Sequence, residues 1–223
     1  MGCFAERPKR EEEQLAQFAE LQLGLSHKSS RSLLAILLTL PVNISKANLP
    51  ELKQKLKLSD LHITPELTAD FYECFEKEGD RDFYDRWKFG LLVLILTTDA
   101  SQWKAEALYQ FCDGELTVSR EKAAKRLEFA FFLASEAIPV TLSLNVTDRF
   151  PKANLLGYVD SLVRRRPEAL ELVLESLFLD GRTVGLAAFV KAFQGSLIEK
   201  CLISKGIREY IGNVGQGNER AVE

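Results

Sequence analysis

An all-α fold is what this sequence predicts, on three observations. Apolar residues recur at helical spacing, as in Leu15, Phe18, Leu21 and Leu25, or Leu67, Phe71 and Phe75. Capping residues, prolines and glycines bracket those stripes as start and stop signals. One stretch, Trp87–Leu96, is almost wholly apolar, which marks a helix surrounded by the rest of the core.

Each element follows in order. The stripe from Leu15 to Leu25 is a first helix after a charged start. Ser29 and Ser30 offer caps for the run Leu33–Leu40, which Pro41 stops. Asn48 ahead of Leu49-Pro50-Glu51 has the spacing of a capping box and opens a short helix to about Leu58. Thr64-Pro65-Glu66 joins a cap, a first-turn proline and an acid that favours the helix dipole. Glu76–Asp85 is a charged turn leading into the apolar segment. Ser101 caps a helix through Trp103, Leu108 and Phe111, which Asp113-Gly114 breaks. Leu116-Thr117-Val118 is a short extended piece, and Ser119 opens a long helix to about Ala137 that carries Leu127, Phe131 and Phe132. Residues 139–147 form a linker, where Val140, Leu142, Leu144 and Val146 alternate as in a brief strand. Pro151 and Pro167 mark two further helix starts, Asp180-Gly181 is a turn, and Val184 leads into a helix through Phe189, Phe193 and Ile198. The tail, 212–223, is polar and glycine-rich and reads as disordered.

Composition narrows the function. The 223 residues are 46% hydrophobic and 27% charged, with 14 Phe, so the chain has ample material for a core. Twenty-nine basic against 32 acidic residues leave a net charge of −3, and no broad basic field points to nucleic acid. Cys3, Cys74, Cys112 and Cys201 lie far apart without a CxxC pair, and charge fills the start where a secretory signal would be apolar. The thiols therefore read as reduced and the protein as cytoplasmic, which leaves the sequon Asn145-Val146-Thr147 unused. The longest apolar run, Phe89–Leu96, falls well short of the about 20 residues that span a bilayer.

One arrangement recurs. A helix ends in a polar turn, a β-forming residue follows, and five positions later an apolar residue sits in the next helix: Ile44 and Leu49, Tyr84 and Phe89, Val118 and Ala123, Val184 and Phe189. With FYECFEKEGDRDFYDRWKFGLLVLIL and SQWKAEALYQFCDGELTVSREKAAKRLEF, this pattern resembles the EF-hand superfamily in degenerate form, as in calcineurin B-like and neuronal-calcium-sensor-like proteins. It is also similar to the N-terminal helical region of TLDc-domain proteins, without the TLDc domain itself. The resemblance implies two packed EF-hand-like lobes, 10–138 and 148–211, in which the β-forming residues make short bridges between loops.

A working EF-hand loop needs oxygen ligands at positions 1, 3 and 5 and a bidentate Glu at 12. With Phe89 at position 13, Lys77, Gly79 and Arg81 stand at the ligand positions and Lys88 at 12. A one-residue slide gives Glu76, Glu78 and Asp80, but Trp87 at 12. The turn at Gly114 supplies Tyr109, Phe111 and Asp113 with Arg120 at 12, and the turn before Phe189 supplies Leu177, Leu179 and Gly181 with Ala188. None makes a calcium cage, so neither metal nor cofactor is expected. The alternative is a lipid-anchored calcium sensor using the acidic turn Glu76, Glu78, Asp80, Asp82 and Asp85.

Enzyme chemistry finds no purchase. The two histidines, His27 and His62, lie in unrelated segments, and no HExxH, GxSxG or phosphate-binding glycine loop occurs. Cys112 beside Asp113-Gly114 reads as a structural cysteine. The expected function is a non-catalytic adaptor for a protein partner, with service as helical cofactor of an enzyme such as a ubiquitin-like ligase as a further alternative. Trp87, Phe89, Trp103 and Phe131 are the candidate groove for an amphipathic partner helix. Gly2 and Cys3 are candidates for myristate and palmitate, with Arg7, Lys9 and Arg10 beside an anionic membrane surface, although Glu6 stands where acylation motifs favour Ser or Thr. Arg164-Arg165-Arg166 reads as a basic helix end before Pro167.

Overall fold

The computed structural model describes residues 11–59, 65–143, 152–179, 181–194 and 197–214. These are mostly helical: α1 (Glu11–Gln22), α2 (Ser30–Leu38), α3 (Leu49–Leu56), α4 (Pro65–Glu73), α5 (Arg86–Leu96), α6 (Ser101–Phe111), α7 (Arg120–Phe132), α8 (Ile138–Ser143), α9 (Lys152–Leu177), α10 (Leu186–Phe193) and α11 (Ser204–Asn213). The short strands are β1 (Asn43–Ser45), β2 (Glu76–Lys77), β3 (Asp80–Asp85), β4 (Thr117–Ser119) and β5 (Thr183–Gly185).

The β-forming residues of the repeat sit at the strand pairings. In one sheet, ordered β1-β3-β2 and antiparallel, Ile44 faces Tyr84; in the other, β4 and β5 are antiparallel and Val118 faces Val184. All of these side chains are buried, and so are Phe89, Ala123 and Phe189 five residues on. The pattern thus places an apolar strand residue and an apolar helix residue on the same core. The charged turn 76–85 is a hairpin, whose Glu78-Gly79 turn needs a positive φ that glycine supplies at +79°.

α5 is the central helix. Its residues Phe89–Leu96 are all buried, and Gly90 lets the Phe111 ring approach so closely that a Cβ there would lie 2.3 Å from it. Phe75 stacks on Phe89 at 4.5 Å, with Phe71, Tyr72 and Tyr84 around them; Tyr109, Phe189 and Phe193 form a second aromatic group. Each such ring pair contributes about 0.5–1.5 kcal/mol beyond area burial. One contiguous apolar core includes residues from Ala19 to Ile211.

Three expectations are corrected. The presumed strand at Val140–Leu142 is helix, because α7, a π turn at Leu133–Ala137 and α8 run on without a break; Leu144 and Val146 lie outside the described residues. Pro167 starts no helix: it lies on the exposed face inside α9, where water can reach the carbonyl left without its N–H partner. Arg164–Arg166 are therefore mid-helix residues. The β4–β5 pairing is a contact between the segments expected as the two packed lobes, 10–138 and 148–211.

Buried cations tie distant segments. Arg208 of α11 donates to Glu13 as a two-pronged pair at 2.9 and 2.8 Å, to Glu20, to the Ala134 carbonyl and to Ser204 Oγ; Tyr158 also donates to Glu13. Burial opposes the charge on Arg208, but Glu13 and Glu20 outweigh it and raise the guanidinium pKa. Burial likewise pushes Glu13 up, while the hydrogen bonds and charge of Arg208 bring it below the usual carboxylate range. Lys104 donates to the carbonyls of Thr97 (2.6 Å) and Leu202 (3.2 Å), joining the end of α5 to the 3-10 turn ahead of α11. Burial lowers its pKa to about 8, against the attraction of Asp99.

Candidate functional site

Helix α7 presents two faces. Ala123, Leu127, Ala130 and Phe131 point into the core, whereas Lys125, Phe129 and Phe132, at steps of four and three, point sideways towards the start of α5. Three Phe within the four residues 129–132 cannot all share one side at 100° per residue. Two of them therefore wall an open groove of about 410 Å³ with Trp87, Lys88 and the hairpin residues Glu78 and Asp85. A second hollow of about 360 Å³ lies beside it, sharing Trp87, Asp85 and Lys125 and reaching Lys122 and Arg126.

The rings and cations are interleaved. The Arg126 guanidinium lies 3.8 Å from the Trp87 ring centre, and Lys88 sits 5.3 Å from Phe129 and 5.7 Å from Trp87. Arg166 of α9 covers Phe132 at 5.7 Å. Phe129 is packed edge-on against Trp87 at 5.3 Å. Contacts of this kind contribute about 0.5–2 kcal/mol each, more where water is excluded. They hold the rings upright while leaving part of each one open.

Most of these cations already have partners. Arg126 donates to the Phe111 carbonyl at 2.8 Å and lies 3.6 Å from Asp113. Arg166 pairs with Glu136 at 2.8 Å, reached because the π turn shifts the phase of the helix, and Lys125 pairs with Glu78 at 2.7 Å. Lys88 Nζ donates to the carbonyls of Cys74 (3.1 Å) and Glu76. Burial lowers the pKa of Lys88, against the pull of Asp85, and burial likewise lowers that of Arg126.

The sequence-predicted site residues do not all meet here. Trp87 is in the groove. Phe89 and Phe131, at 0% exposure, belong to the core, because each lies on the inward side of its helix, and they correct the expected groove. Trp103 is half-buried elsewhere, under the Arg31 guanidinium at 5.4 Å. Phe129 and Phe132, neither of them in the expected set, line the groove instead, and the crowding of aromatics at 129–132 is the signal for them in the sequence. Gly2, Cys3, Arg7, Lys9 and Arg10, like His62, lie outside the described residues, and His27 is exposed on a surface turn.

The acidic turn is engaged in contacts of its own. Glu76 pairs with Lys46, Glu78 pairs with Lys125, and Asp80 accepts from the Asp82 amide. Among the described residues no three His, Cys, Asp or Glu side chains gather as a metal site. Cys74, Cys112 and Cys201 are free thiols, and burial raises all three, to about 12 for Cys74 and Cys112, so they are held as protonated packing groups. Among the described residues no helix is long and apolar enough to cross a membrane. Neither a protein-family model, nor a curated protein, nor a solved structure matches the chain.

Proposed function

We propose that the chain is a non-catalytic adaptor whose Trp87 groove receives an amphipathic helix of a partner protein. The observation that carries this reading is the groove itself: three partly open rings held upright by cations that the protein's own acids and carbonyls already engage. Such a surface offers a partner apolar contact without stranding a charge, the condition under which aromatic anchors contribute most to binding. Among the described lining residues are rings, acids and cations rather than a nucleophile beside a base.

The scaffold reads as paired EF-hand-like units that work without calcium. Support comes from the facing pairs Ile44–Tyr84 and Val118–Val184, and from Lys88 at the loop position where a calcium-binding unit carries Glu. Acylation at Gly2 and Cys3, beside Arg7, Lys9 and Arg10, would tether this adaptor to a membrane, since one acyl chain alone binds only marginally. Intact mass of protein from its native cells checks that tether.

Affinity capture from native cell extract, with and without calcium chelation, tests the groove. Proteins held by the wild type and by Leu116→Asp, lost with Phe132→Asp, and indifferent to chelation are the expected result. Equal capture by all three, or capture only with calcium, overturns the reading.

A further inference from the structure

The turn that joins α4 to β2 gathers several features that draw positive charge to one point, against the burial and the nearby Lys125 that oppose it. The carbonyls of Cys74 and Glu76 follow the C-terminus of α4, where the helix dipole is negative. The π faces of Trp87 and Phe129 stand within 6 Å of the same point, and Asp85 adds its charge. The Lys88 ammonium fills that point, reaching back from the first turn of α5.

The geometry points to a cation site built into the fold: we infer that this turn binds an alkylammonium, and that the chain supplies its own in Lys88. In a calcium-binding loop the residue at this position contributes an anion to a mobile cation; here it contributes the cation, and the loop's backbone oxygens are the anionic partner. A tethered cation cannot dissociate. The carbonyls thus have a cation beside them without drawing one from solution, and the hairpin wall of the groove is braced without a metal signal. Arg126, donating to the Phe111 carbonyl, and Arg86, donating to the Leu38 and Leu40 carbonyls, place guanidinium groups on the ends of α6 and α2 in a similar way.

Hydrogen exchange across β2 and β3 reads the site directly. Lys88→Met keeps the length of the side chain and removes the charge; protection of these amides falls by about tenfold or more while α10 and α11 are unchanged. Lys88→Ala opens a space the size of n-propylammonium, and millimolar n-propylammonium restores the lost protection, whereas tetramethylammonium at equal ionic strength, with no N–H to donate, does not. Full protection in Lys88→Met overturns the inference, as does failure of n-propylammonium to act better than tetramethylammonium on Lys88→Ala, including any loss of its global fold. The inference deepens the adaptor reading by naming what shapes its groove, yet needs no partner for its test. Capture lost with Phe132→Asp and protection lost with Lys88→Met are separate measurements, and either can fail alone.

Discussion

The two strand pairs of this protein share a plan and differ in finish. Each is an antiparallel pairing with one apolar couple turned inward, Ile44 with Tyr84 and Val118 with Val184. Around the first, a third strand is added, Lys46 lies over the Tyr84 ring and pairs with Glu76, and the neighbouring carbonyls take Lys88. Around the second, Leu116 and Leu179 stand 88% and 81% exposed, and Gly185 follows Val184 with no side chain at all. Each pairing thus turns one apolar residue per strand into the core. What surrounds that residue decides the character of the turn: the first becomes the cation-braced wall of the Trp87 groove, and the second lines an apolar hollow of about 750 Å³ with Leu177 and Leu179.

Truncation is the strongest way to break this comparison. Tyr84→Ala removes a ring packed edge-on against Phe89 at 5.7 Å and is expected to lower stability by about 3–5 kcal/mol. Val184→Ala removes two methyl groups and is expected to lower it by about 1.5 kcal/mol. Denaturant midpoints for the two variants check this, and equal losses would mean that the two pairs carry equal weight.

Lys104, which ties the end of α5 to the 3-10 turn ahead of α11 and touches neither strand pair, gives the next largest effect. Its folded pKa of about 8 lies below the 10.5 of a free lysine, so below pH 8 both states hold the proton and the full penalty of a buried charge is present. Above pH 8 the folded protein releases a proton that the unfolded chain keeps, and stability rises with pH until about 10.5. Relative to Lys104→Met, the wild type is expected to gain about 1 kcal/mol between pH 8 and pH 9. Raised thiol pKa values act in the opposite sense as unfolded cysteines ionise around pH 9, a loss that both proteins share and that cancels in the difference. A flat difference across that window would mean that the Lys104 ammonium is not held in a buried site. The smallest effect sharpens the contrast from the exposed leucines of the second pair: Leu116→Asp and Leu179→Asp should each shift stability by less than about 0.5 kcal/mol, as thermal melts would show.

Much of the helical order was legible because caps, prolines and apolar stripes are local signals. Ile44, Tyr84, Val118 and Val184 stood out for the same reason, each a β-former at a fixed step before an apolar helix residue. That Val118 meets Val184 required the path of α7 to α9 between them, which no local pattern encodes. Pro167 misled because a first-turn proline and an exposed mid-helix proline look alike in one dimension. The groove was half legible: Trp87 was found, but telling Phe129 and Phe132 from Phe131 depends on the rotation of α7, and the core packed against it sets that rotation. Lys88 was visible as a misfit at its loop position, and only the folded chain reveals which oxygens it faces.

Arg208 has a consequence for how the molecule is made. Its partner Glu13 is separated from it by 195 positions, so a ribosome needs roughly 10–40 s after finishing one to reach the other. During that interval α1, a 12-residue peptide, is too short to persist as a helix in water by itself. α1 can therefore gather first on α8, against which it packs, and Arg208 locks it in place only once α11 has been made.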